Sequence, residues 1–89
     1  MPSKQEVLDE KFHNFLIMLE NNCENKDVIN EYRKMKSDEM RNFVLDTVIP
    51  INDNALRVSL MDEKLILNEN GKQKCLLYLD CFVELIKSL

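Results

Sequence analysis

The stretch KQKCLLYLDCFVELIKS at residues 72–88 is the strongest indicator of the fold class. Its main apolar stripe repeats every three or four positions, as along one face of an α-helix: Cys75, Leu79, Phe82, Val83 and Ile86. Further apolar residues widen that face beyond an ordinary surface helix: Leu76, Leu77, Tyr78, Cys81, Leu85 and Leu89. This pattern predicts a central helix, or one that packs on a partner as well as on its own core.

The rest of the chain is also predicted to be helical, because it contains almost no glycine or proline, the residues on which many turns depend. The 89 residues include one glycine, Gly71, and two prolines, Pro2 and Pro50. Hairpins and tight turns depend on these two residue types, and phosphate loops and dinucleotide fingerprints, which need several glycines, are excluded. We therefore predict an all-α fold, a compact single-domain bundle of four to five helices over residues 1–89.

Capping residues and apolar spacing set the expected helix boundaries. Ser3 and Glu6 form a capping box that begins the first helix, which ends near residues 21–22. A third helix is expected after Ser37 and stops at Pro50, because proline disfavours helix in the residue before it and cannot continue the ladder.

Three other segments carry weaker signals. A second helix, capped by Asn25 or Asp27, is expected to end near Lys36. Residues 51–67 are left open between short helices and an extended piece at residues 64–67. Residues 68–71 are predicted to be a loop before the last helix, since they hold the only glycine of the chain.

The apolar stripes also predict a core and an interface. We expect one buried cluster of five side chains: Phe12, Phe15, Phe43, Leu79 and Phe82. Leu77, Cys81 and Leu85 lie on the widened flank of the last helix. Because so small a domain cannot easily cover one helix on every side, we expect these three to contact a second copy or another protein. The alternative is a strict monomer in which residues 51–67 cover them.

The net charge and the cysteine pattern limit the classes of partner and ligand that we expect. A formal net charge of −4 disfavours general binding to nucleic acid or to anionic membranes. Cys23, Cys75 and Cys81 form no CxxC motif and lie in apolar surroundings, so they are predicted to be reduced and buried. A zinc site with His13 would lack a fourth ligand and a short ligand pair. No metal, cofactor or small-molecule ligand is expected.

A basic cluster and the single histidine suggest two further functions, both disfavoured. Basic residues flank Ser37 as in a helix-turn-helix: Arg33, Lys34, Lys36 and Arg41. The helix after Ser37 starts with Asp38 and Glu39, whose carboxylates would face phosphates, so local charge pairing is favoured. His13 has no recognisable nucleophile or orienting group, so no catalytic residue is predicted and the chain is interpreted as non-enzymatic.

The terminal segment and the apolar stretches indicate where the chain is expected to reside. The N-terminus is polar and has no secretory signal, and the stretch at residues 75–86 is short and contains Asp80 and Glu84. We therefore expect an intracellular, cytoplasmic protein without membrane association.

Several short motifs follow one another in a recognisable order: Phe12-His13-Asn14-Phe15-Leu16, Asp27, Tyr32, Phe43, Val48-Ile49-Pro50, Asp62-Glu63 and Tyr78-Leu79. In this order the chain resembles a group of small helical proteins encoded by large DNA viruses of algae and protists. The chain departs from that group at Lys64-Leu65, where an aromatic pair is expected, and near Leu76, where a tryptophan is expected. The resemblance implies a viral setting, with the protein in the host cytoplasm or the virion, and it implies no activity.

The expected function is accordingly that of a non-enzymatic protein-interaction or structural subunit, such as a component of a large DNA virus particle. One alternative is a regulator that binds a host protein through a helix face or groove. The other is a helix-turn-helix nucleic-acid binder.

Overall fold

Helices make up most of the part of the chain that the computed structural model describes, residues 3–27, 29–30 and 39–88. The main helices are α1 (Lys4–Asn21), α2 (Glu39–Asn42), α3 (Asn54–Leu65) and α4 (Glu69–Lys87). A π-helix at Phe43–Val48 continues α2. Within these residues the only β-type pairing is an isolated antiparallel bridge between Cys23 and Leu67. The predicted all-α bundle is therefore confirmed.

The first helix begins at the cap that the sequence predicts. The Ser3 hydroxyl accepts a hydrogen bond from the Glu6 amide at 3.2 Å, which caps α1. The predicted cap at Ser37 and most of the predicted second helix lie outside the described residues. Of that second helix, residues 26–27 and 29–30 are helical, and Ile29 is fully buried.

The helix that precedes Pro50 ends where proline predicts, but its last turns are wider than α-helical. The Ile49 amide donates to the Val44 carbonyl five residues back, at 2.8 Å. Such i to i−5 bonding defines a π-helix. Val44 and Val48 from this segment are fully buried.

Residues 51–67, which the sequence left open, form one helix and a short connection. The Asp53 carboxylate accepts from the amides of Ala55 and Leu56 at 2.9 and 3.3 Å, so α3 begins at the next residue. The helix ends at Leu65, and the next residue, its C-cap Ile66, has a left-handed φ of 54°. Leu67 then pairs with Cys23, so the extended alternative holds for a single residue.

The loop predicted at residues 68–71 is wrong, because these residues form the cap and first turn of α4. The Asn68 side chain accepts from the Gly71 amide at 2.7 Å, which makes Asn68 the N-cap. Gly71 is buried, and a Cβ there would lie 2.8 Å from the Asn22 Cβ and 2.9 Å from the Asn22 carbonyl oxygen. The glycine therefore serves close packing against the end of α1 rather than a turn.

Asn22 joins the end of α1 to the start of α4. Its side-chain amide donates to the Met18 carbonyl at 2.8 Å, and its side-chain oxygen accepts from Asn70 at 2.9 Å. Its own carbonyl accepts from the Asn68 amide at 3.0 Å. Two further bonds run from the amides of residues 24 and 25 to the carbonyls of residues 66 and 65.

Helices α1 and α4 pack antiparallel around an aromatic cluster. The Phe15 ring lies 5.3 Å from that of Phe82, edge to face, and 5.4 Å from that of Tyr78, between ring centroids. Phe12 lies 5.9 Å from Phe82. Four of the five predicted core residues, Phe12, Phe15, Leu79 and Phe82, are buried here.

The prediction of a buried Phe43 is wrong. This ring is only partly buried at the edge of the core, and the Lys64 ammonium lies 4.5 Å from its centroid. The reason is its position at the start of the π-helix, which turns Val44 and Val48 into the core instead.

Candidate functional site

A shallow groove runs along the outer side of the α1 and α4 pair. Its main part has a volume of about 380 Å³ and is lined by Asn14, Ile17, Met18, Lys74, Leu77 and Tyr78. A hollow of about 170 Å³ extends it, sharing Asn14, Leu77 and Tyr78 and adding Lys11 and Cys81. We call this continuous surface the α1/α4 groove.

Two apolar residues that line the groove lie away from the buried stripe of their helix, because a residue two positions along an α-helix is turned by about 200°. On α4, Cys75 and Leu79 are fully buried, while Leu77, between them in sequence, is 64% exposed. On α1, Phe15 and Leu19 are fully buried, while Ile17 is 38% exposed. The helical period of 3.6 residues places the intervening residues at the outer edge of the helix pair.

The predicted interface residues fall in three different environments. Leu77 and Cys81 line the α1/α4 groove, and both are exposed. Leu85 is half-buried, packs against the core and is not among the lining side chains. The alternative in which residues 51–67 cover the outer flank of α4 is wrong for Leu77, which remains open to solvent.

Both charged side chains that line the groove are lysines. Lys74 lines the main part of the groove together with Met18, and Lys11 lines the smaller hollow together with Cys81. Both are exposed, and neither is in an ion pair within the described part of the chain, where the pairs are Arg41–Asp9 and Lys72–Glu69. The groove thus combines a largely apolar lining with two available cations.

The cysteines differ in exposure and in chemistry. Burial raises the pKa of the Cys75 thiol from 9.0 to about 12, and it also raises the pKa of Cys23. The stability that neutral Cys75 provides is fully present below pH 9.0 and is lost as the pH rises toward 12. Cys81 is exposed, so the prediction that all three thiols are buried is wrong at this position, because Cys81 lies on the outer side of α4.

Alkylation of the native protein should therefore select Cys81. With iodoacetamide at pH 8, we expect Cys81 to react first, and Cys23 and Cys75 to react only after unfolding in denaturant. Peptide mapping by mass spectrometry measures the order. Cys81→Ser is the matched control and should leave the native protein unlabelled; equal labelling of all three sites without denaturant would contradict the assignment.

Other candidate residues are not gathered into a site. His13 is exposed on α1. Arg41 pairs with Asp9 of α1, whereas the rest of the basic cluster, Arg33, Lys34 and Lys36, lies outside the described residues. Among residues 3–27, 29–30 and 39–88, no group of histidine, cysteine and acidic side chains is placed to hold a metal ion. No helix within those ranges has the length and apolar character needed to cross a membrane.

Comparison with known proteins gives no relative from which a function could be inferred. No family model matches the chain, and no curated protein or solved structure matches it either. The α1/α4 groove is therefore the main source of functional information.

Sequence reasoning missed part of this site. Ile17 stands apart from the main stripe of α1, which is a usable signal for an outward-facing apolar residue. Lys11 and Lys74 carry no such signal, because only the packing of α1 against α4 brings them to the same groove. The sequence also gives no sign that Arg57, which does not line the groove, is buried; its guanidinium donates to Asn54 Oδ1 at 2.9 Å and to the Ile49 carbonyl at 3.0 Å.

Proposed function

We propose that this chain is a non-enzymatic interaction module that binds another protein through the α1/α4 groove. The observation that carries the proposal is Leu77, a large apolar side chain left 64% exposed in the middle of the groove. Covering an exposed leucine is worth up to about 1.5–3 kcal/mol, so a partner that fills the groove gains affinity there.

The other lining residues suit protein recognition. Met18 and Tyr78 form an adaptable, largely apolar floor, and Asn14 adds a polar group that can donate and accept hydrogen bonds. A groove between two helices accommodates an amphipathic helix along its length. The net charge of −4 favours a protein partner over nucleic acid.

Site-specific photo-crosslinking in cells tests the proposal. A photoreactive amino acid in place of Leu77 should give a discrete crosslinked protein, whereas the same amino acid in place of Ser59, exposed on α3, should not. Leu77→Asp, read out from a photoreactive residue in place of Asn14, should abolish the crosslink, because a carboxylate replaces the apolar contact. Equal crosslinking from positions 77 and 59 would contradict a binding role for the groove.

A further inference from the structure

We propose that the partner is an amphipathic helix with acidic residues at both ends of a short apolar ridge, whose carboxylates pair with Lys11 and Lys74. This inference rests on the proposed function of the α1/α4 groove and specifies the chemistry of what binds there.

The first argument is the sign of the charge in the groove. The chain as a whole is acidic, with 16 Asp and Glu against 12 Lys and Arg. The side chains that line the groove nevertheless include two lysines and no Asp or Glu. A cationic groove on an acidic protein attracts negative charge locally and repels a basic partner.

The second argument is the spacing of the cations. Lys74 precedes Cys81, which lines the same hollow as Lys11, by seven residues on α4. Seven residues are about two helical turns, or roughly 10 Å. A helix lying along the groove would match this with acidic residues at positions i and i+7, since these share one face.

The third argument is the apolar surface between the lysines. Leu77 and Tyr78 line both parts of the groove, together with the polar Asn14, and Ile17 adds apolar surface to the main part. On the partner helix, positions i+3 and i+4 lie between the two acids on the same face, so apolar residues there would cover Leu77. The expected partner motif is therefore an acid, two intervening residues, two apolar residues, two intervening residues and a second acid.

This motif argues for a different chain rather than a second copy. Within this sequence the closest match is Asp62, Leu65, Ile66 and Glu69. That stretch is not one helix, because α3 ends at Leu65 and Ile66 is left-handed. The described helices thus offer no copy of the motif on a continuous helical face.

Synthetic helical peptides of 18 residues test the assignment directly. One peptide carries glutamates at i and i+7 and leucines at i+3 and i+4 in an alanine-rich background. The matched peptide has lysines in place of the two glutamates. By fluorescence anisotropy at low salt, we expect the glutamate peptide to bind the full chain about tenfold more tightly than the lysine peptide. We expect the difference to shrink at high salt.

A second experiment reverses the charges of the groove lysines in the protein. The double variant Lys11→Glu with Lys74→Glu should reverse the peptide preference. Lys26→Glu with Lys87→Glu, two exposed lysines outside the groove, should leave it unchanged. Circular dichroism shows whether each variant is folded, so that lost binding is not mistaken for unfolding.

The remaining outcomes separate this inference from the proposed function. Equal binding of the two peptides, or no binding of either, overturns the acidic-helix partner; a crosslink from position 77 would still support the groove as a binding site. Self-association in sedimentation that Leu77→Asp abolishes would also overturn it and assign the groove to a second copy. Failure of both the peptides and the crosslink would overturn the proposed function as well.

Discussion

Replacement of Phe15 by alanine is expected to lower the free energy of unfolding by about 3–5 kcal/mol, the range for a buried Phe-to-Ala change. The Phe15 side chain is fully buried, and its ring contacts those of Phe12, Tyr78 and Phe82. Alanine would leave a cavity between α1 and α4 and remove the edge-to-face contact with Phe82. Urea denaturation followed by circular dichroism measures the loss.

Phe43→Ala is the matched control for that loss. The same atoms are removed, but Phe43 is only partly buried at the edge of the core. We expect less than half the effect of Phe15→Ala, because less apolar surface returns to water and no enclosed cavity forms. Equal losses at the two positions would contradict the packing described for α1 and α4.

Replacement of Gly71 by alanine is expected to destabilise the protein by about 1–3 kcal/mol, the usual range for overpacking. Inside a helix this change normally stabilises by about 1 kcal/mol, because alanine has the higher helix propensity. Here the added Cβ would come within 2.8 Å of the Asn22 Cβ and 2.9 Å of the Asn22 carbonyl oxygen. To relieve the contact, α4 must move away from the end of α1.

Ser59→Ala is the control that measures the effect of helix propensity without an effect of packing. Ser59 is exposed within α3, so alanine there changes helix propensity without a steric contact. Thermal unfolding of both variants should show a small gain for Ser59→Ala and a loss for Gly71→Ala. A gain at both positions would show that α4 does not pack closely on Asn22.

The sequence predicts the fold where a signal is local to one helix. The cap at Ser3, the end at Pro50 and the buried stripe of α4 each follow from residues within a turn or two of one another. The prediction fails at residues 68–71, because asparagine and glycine there are compatible with either a loop or a capped helix start. The contact with Asn22, 49 residues before Gly71, favours the helix.

The residues of the candidate site likewise differ in how well the sequence predicts them. Leu77 and Cys81 are predicted by an apolar pattern that is too wide for one helix face. Lys11 and Lys74 are ordinary surface residues in sequence and acquire a role only because α1 and α4 are neighbours. Arg57 is similar: its burial depends on the end of the π-helix reaching the first turn of α3.

The hydrogen bonds around Asn22 determine which segments of the protein must open together. They connect the end of α1 with the connection between α3 and α4 and with the first turn of α4, two adjacent segments that are distant from α1 in sequence. Neither the end of α1 nor the start of α4 can swing outward without breaking these bonds. This corner of the protein therefore forms a single cooperative unit, and slow amide exchange there reports the opening of the whole α1 and α4 pair rather than fraying of one helix end.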